Sequence, residues 1–154
     1  MGQYWMVVNL DKREYVHPHK LGAGLKLWEQ LGTHPGTGAA LIVLCAAMPA
    51  PRGGGDLRPD PVIGRWAGDR IALVGDYAER EDLPDSDRAD LIYALCRQHD
   101  DLPEELVGFV PFVDVSEVVC RVLERELGGK FEGDGWRHWA PAGGEAGEAV
   151  GGEG

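Results

Sequence analysis

Serine is almost missing from this chain: Ser86 and Ser116 are the only two in 154 residues. Neither lies in a G-x-S-x-G turn, so the sequence offers no serine nucleophile of the hydrolase kind. Cysteine is scarce too. Cys45, Cys96 and Cys120 are an odd number with no two close together, which argues against a disulfide framework. The lack of a C-x-x-C pair removes a zinc ribbon. Each cysteine sits in an apolar stretch, as buried structural thiols do. There is no H-E-x-x-H helix, and the longest apolar run, residues 39–50, is too short to span a bilayer. Met1-Gly2-Gln3-Tyr4-Trp5 reads as neither a signal nor a transit peptide. Met6 stands where a myristoylation signal needs Ser or Thr. These absences point to the cytosol.

Positive charge is the remaining shortage. Fifteen Lys and Arg face 26 Asp and Glu, for a formal net charge of -11. Phosphate backbones and anionic membrane surfaces repel such a chain at long range, so nucleic acid and membrane are not expected partners. The charge favours a basic protein, a cationic ligand or a divalent metal. It also serves plain solubility. Hydrophobic residues are 44% of the chain, enough for one core of ordinary size.

The pattern predicts an α+β domain over residues 1–139, with an N-terminal β-hairpin, a small mixed sheet and two main helices, followed by a disordered acidic tail over 140–154. Residues 4–10 and 14–16 are aromatic and β-branched around a polar turn, which suits a hairpin. Leu21, Leu25, Trp28 and Leu31 follow at helical spacing up to Gly32, with Gly22 and Gly24 moving the start toward Ala23. Residues 33–38 read as a loop, and the apolar block 39–48 as a buried strand. Residues 49–61, rich in Pro and Gly, are an exposed loop. Residues 70–77 read as a strand with both faces apolar, which suggests a central position. Residues 79–90 form an acidic connector, and 91–96 are a strand or a short helix. Asp114 and Glu117 have capping-box spacing ahead of the stripe Val115, Val118, Val119, Val122 and Leu123, and Gly128-Gly129 ends that helix. Phe131, Trp136 and Trp139 are placed to dock the C-terminal segment on the core.

Two clusters are candidate ligand-binding sites. In the first, His17 and His19 lie two apart around Pro18, beside Lys20. On an extended segment both rings point the same way and can chelate one metal ion, if His34, His99, Asp100 or Asp101 completes the set. The bland alternative is a polar bend between strand and helix. The second cluster is Arg65, Trp66, Asp69 and Arg70, followed across a short strand by Asp76 and Tyr77. A strand separates the two aspartates by about 20 Å, too far for paired-carboxylate chemistry. The alternative is glycine-flanked turns with local ion pairs. A third feature, Gly36-Thr37-Gly38, lacks the lysine of a P-loop and the third glycine of a dinucleotide loop. It also lacks a helix to open if Ala39 begins a strand.

The opening Gly2-Gln3-Tyr4-Trp5, the segments Val8-Asn9-Leu10-Asp11-Lys12 and His17-Pro18-His19-Lys20, and the later Gly64-Arg65-Trp66-Ala67-Gly68-Asp69-Arg70 and Gly75-Asp76-Tyr77 together resemble a group of small uncharacterised microbial proteins. The likeness covers most of the chain up to Trp139. It implies no activity, cofactor or site. From the residues, the leading expectation is a non-enzymatic interaction module, neutralising or accessory, that docks a basic protein. The alternative is a small metal-dependent hydrolase or ligand-binding protein using the two clusters. Self-association through an apolar face of the helix at 115–127 is a third possibility.

Overall fold

One strand is apolar on both of its faces, and the fold supplies a layer for each. The computed structural model describes residues 2–97 and 102–143. Three positions named above as further ligands (His99, Asp100 and Asp101) and residues 144–154 of the tail lie outside that range. β1 (Trp5–Asn9) pairs antiparallel with β2 (Glu14–Val16), Val7 opposite Val16. On its other side β1 pairs antiparallel with β3 (Ile71–Gly75), Val7 opposite Leu73. β4 (Val113–Asp114) adds parallel to β2, so the order is β3-β1-β2-β4. The α+β reading and the opening hairpin are therefore correct. The central placing of β3 is not: it is an edge, and Leu73 is 40% exposed.

Met6, Val7 and Val8 are all fully buried. Alternation sends Val7 to one side, where it meets Val16, Trp66 and the helices α2 (Gly36–Cys45) and α4 (Ser116–Leu127). Met6 and Val8 go to the other side, against Tyr15, Val74, Phe112 and the helix α3 (Ala89–Arg97). The block left open at 91–96 is thus helical. A two-stranded ribbon, β5 (Gly129–Glu132) with β6 (His138–Pro141), closes the α4 side, and the Phe131 and Trp139 rings meet edge to face at 4.8 Å. Trp136 does not join the core; it is half-exposed and stacks on His19. Ala140 and Pro141, assigned above to the tail, are part of β6. Among the described residues, no helix is long and apolar enough to cross a membrane.

Residues 39–45 of the block 39–48 belong to α2, not to a strand. The block holds alanines and leucines beside only two β-branched residues, so helix propensity is served. Its lack of period has a physical source: after Thr37 the helix carries no polar side chain at all. The expected helix up to Gly32 is broken in two. Pro18–Leu21 makes a short 3-10 turn that ends at Gly22 in the left-handed region (φ 83), and only α1 (Leu27–Leu31) is α-helical. The α4 helix ends at Gly128 (φ 70) as its sequence implies. Its start is not a reciprocal capping box. The Asp114 carboxylate accepts the Ser116 amide at 2.8 Å, while Glu117 turns away to pair with Arg137. Cys96 and Cys120 are buried, but Cys45 is exposed at the end of α2.

Two glycines separate backbone conformation from space. Gly64 (φ 78) and Gly68 (φ 85) both need the left-handed region, but a Cβ on Gly64 would stand 2.5 Å from the Ala46 carbonyl oxygen, whereas Gly68 faces open space. Gly68→Ala should therefore lose about 1 kcal/mol of stability and Gly64→Ala at least about 3 kcal/mol, since it adds a clash to the same backbone strain. Urea unfolding of the two variants measures the difference.

Candidate functional site

The second cluster is spread along β3 and spent on the fold. Asp69 lies at the hairpin end of the sheet. Its carboxylate accepts from Asn9 Nδ2 at 2.9 Å and from Lys12 Nζ at 2.5 Å. Asn9 is fully buried, and its Oδ1 accepts the amides of Asp11 and Lys12, closing the turn between β1 and β2. Arg70 clamps that turn from the same side, through Asp11 at 2.9 Å and Asp87 at 3.0 Å. Asp69, Asp11 and Asp85 are all held below the ordinary carboxylate range, each chiefly by hydrogen bonds from the groups around it. Asp76 and Tyr77 sit at the far end of β3. Asp76 Oδ1 accepts the Tyr4 amide at 2.9 Å, the Tyr77 amide donates to Gln3, and the Tyr77 ring is exposed.

Arg65 and Trp66 serve a third place. Trp66 is fully buried, and its Nε1 donates to Glu14 at 2.9 Å. Arg65 grips the same carboxylate with Nε at 3.0 Å and Nη2 at 2.5 Å. Burial opposes the charge on Glu14, but the bonds from Arg65 and Trp66 outweigh it and hold the pKa below normal. The carboxylate is thus a buried hydrogen-bond hub that fixes Trp66 under the sheet.

His17 and His19 are elsewhere again, where β2 meets α4. They are not on an extended segment, because Pro18 starts the 3-10 turn. His17 Nδ1 accepts the His19 amide at 3.2 Å, and the His17 amide donates to Ser116 Oγ at 2.8 Å. The His19 ring stacks on Trp136 at 4.8 Å and stands 5.2 Å from the His17 ring. Lys20 beside them pairs with Asp114 at 2.7 Å. Among the described residues, no group of three or more His, Cys, Asp or Glu is arranged to hold a metal ion. The eight candidates therefore occupy four places: the hairpin turn, the far end of β3, the Trp66 pocket and the bend before α4.

An apolar concave surface is lined by none of the eight candidates. A groove of about 650 Å³ runs between α1, α2 and the β3 edge, lined by Leu27, Trp28, Leu31, Gly38, Leu41 and Leu73. Trp28 is 80% exposed and Leu31 75%, and Ile42 on the same side of α2 is 65% exposed. These are large fractions for apolar side chains gathered in one place. The two polar side chains along it are already engaged. Gln30 donates to the Trp5 and Leu25 carbonyls and accepts from Thr37 Oγ1 at 3.3 Å. The groove can bury an apolar surface but presents no set of converging reactive groups. Gly36-Thr37-Gly38 does open a helix, contrary to the strand reading, yet Gly36 and Thr37 are buried in that first turn. The signal for the groove was in the sequence: α2 has no polar face, and a helix apolar all round is normally covered all round.

Comparison of the chain with protein-family models, with curated proteins and with solved structures finds no match.

Two predictions test the structural roles of these side chains. Burial, reinforced by the charge of His19, pushes the His17 pKa down to about 4. Unfolded histidine titrates near 6.5, so between these values the unfolded chain binds a proton that the folded chain refuses. Stability therefore falls as pH drops from about 6.5 toward about 4. His17→Asn keeps an acceptor for the His19 amide and should flatten this slope between about pH 6.5 and 5, above the range where carboxylates protonate. Urea midpoints across that window measure it. Glu14→Ala leaves Trp66 Nε1 without its acceptor and Arg65 without its partner, and should lower stability by about 3 kcal/mol in the same unfolding assay.

Proposed function

We propose that this chain is a non-enzymatic protein-interaction module that works in the cytosol as a neutralising or accessory protein for a basic partner. The observation that supports this most is how the molecule divides its polar and apolar groups. Most of the candidate reactive side chains are engaged in internal bonds, while an apolar groove and several acidic groups are left facing outward. At least nine of the fifteen Lys and Arg residues are held in ion pairs with the chain's own carboxylates. Glu79, Glu81, Asp82, Glu104 and Glu105 stand exposed and outside those pairs. The outward field is therefore that of the surplus acids, which steers a basic surface and repels an acidic one. Three free cysteines fit a reducing compartment.

The test is purification of the full chain from its native cells at low and at high salt. The expected result is a basic protein that copurifies in constant proportion at low salt and is lost as salt rises. Exposed charge pairs are screened over about 10 Å at 0.1 M salt and about 3 Å at 1 M, so the loss should be steep. A chain that emerges without a partner at every salt concentration contradicts the proposal, as does a partner whose recovery ignores salt.

A further inference from the structure

We propose that the edge of β3 is the seam of a homodimer, in which two copies pair antiparallel about a two-fold axis at Leu73 and cover each other's apolar groove. The inference goes beyond the basic-partner reading, since what the groove holds is a second acidic copy, and it stands or falls on the purified chain with no other protein present.

The phase of the β1–β3 ladder is the first ground. The Leu10 amide donates to the Arg70 carbonyl, and the Asp76 amide donates to the Tyr4 carbonyl. With the register of the two strands, this turns the backbone groups of Arg70, Ala72, Val74 and Asp76 toward β1. The amides of Ile71, Leu73 and Gly75 and the carbonyls of Ile71 and Leu73 then point away from the sheet, where no further strand lies among the described residues, while the Gly75 carbonyl accepts the Ala78 amide at 3.2 Å. A two-fold axis at Leu73 sets Ile71 opposite the partner's Gly75 and Leu73 opposite its own copy. The Leu73 amide and carbonyl meet those of the partner's Leu73, and the Gly75 amide meets the partner's Ile71 carbonyl, giving about four new hydrogen bonds and joining two four-stranded sheets into one.

Charge fixes that register. The same axis places Arg70 opposite the partner's Asp76 at one end of the seam and Asp76 opposite the partner's Arg70 at the other. Directly opposed residues share a face, so each pair is within reach. Both groups have capacity left. Arg70 uses Nε and one bond from each terminal nitrogen on Asp11 and Asp87, which leaves two N–H donors. Asp76 uses only Oδ1, for the Tyr4 amide. Between these ends the strand reads Ile-Ala-Leu-Val-Gly. It has none of the lysines or prolines with which edge strands block pairing.

Exposed apolar surface is the third ground. Trp28, Leu31 and Leu73 line the groove beside the strand edge and are 80%, 75% and 40% exposed. The seam also accounts for a helix, α2, whose outer side has no polar residue although it faces solvent in the monomer.

The experiment is analytical ultracentrifugation of the purified full-length chain over a hundredfold range of concentration, at low and high salt. The expected result is a reversible dimer that high salt does not dissociate, since salt screens the repulsion between two acidic copies; the basic-partner complex should respond in the opposite way. Leu73→Lys should weaken the dimer at least about 100-fold. Trp28→Ser, at a ring that lies mostly in solvent, should weaken it about tenfold without touching the sheet. Arg70→Asp and Asp76→Arg should each weaken it about tenfold, and the double variant should recover most of the loss. Circular dichroism melting of every variant establishes that it is folded. A wild-type monomer at all concentrations overturns the proposal and leaves the edge to a different chain. A dimer indifferent to both Leu73→Lys and Trp28→Ser overturns it too, because the contact must then lie on another face. Failure of the double variant to recover overturns the register.

Discussion

Everything in this molecule is arranged around the burial of both faces of β1. Met6 and Val8 need one apolar layer, and Val7 needs another on the opposite side. Three fully buried side chains in a row, at about 1.5–3 kcal/mol each, are a strong demand for so short a strand. The chain meets it by flanking the strand with β2 and β3, then laying α3 on one face and α2 with α4 on the other. Segments that would otherwise be free are committed by this sandwich. Trp66, far along the chain, is drawn beneath the sheet and needs Glu14 to satisfy its indole nitrogen. Glu14 in turn needs Arg65.

That constraint explains why the charged residues do not form a reactive centre. The strand ends are where backbone groups run out of partners, and the chain uses its carboxylates there. Asp69 and Asn9 tie the hairpin turn, Asp76 takes the Tyr4 amide, and Asp114 takes the first amide of α4. Asp69 and Asp114, each held by hydrogen bonds below its ordinary pKa, are poor bases at neutral pH. The imidazole of His17 is kept neutral by burial but uses Nδ1 on its own backbone neighbourhood. What the fold leaves unspent is surface, chiefly the apolar groove at the one side of the sheet where β3 ends it.

Much of this is legible in the sequence, and the misreadings of residues 39–48 and of β3 share one cause. The hairpin, the strand at Ile71–Gly75 and the helix at Ser116–Leu127 announce themselves by alternation, by a periodic stripe or by Gly128. These are local signals, and they agree with the tertiary environment. Residues 39–48 carry no periodic signal, because α2 is apolar on the side that meets the sheet and on the side that does not. Periodicity reports a contrast between two environments, and here the contrast is missing. The same uniformity made β3 look central, since Leu73 is apolar although it stands at an edge. His17, Asp69 and Asp76 were visible as chemistry-bearing residues, but sequence order says nothing of whether they converge. It is the sheet register, with Asp69 and Asp76 at opposite ends of one strand, that separates them. An apolar residue at an exposed place is the feature a sequence pattern hides best, and the proposed interaction surface is made of such residues.

The central claim is that the outward edge of β3 is covered by protein when the molecule is at work. Residue-resolved amide hydrogen exchange on the full chain, at successive dilutions, tests it most directly. The account predicts that Ala72 and Val74, bonded to β1, stay protected throughout. Leu73 and Gly75 should be protected at high concentration and exchange quickly on dilution. Rapid exchange of these two amides at every concentration, with Ala72 and Val74 still protected, would contradict it.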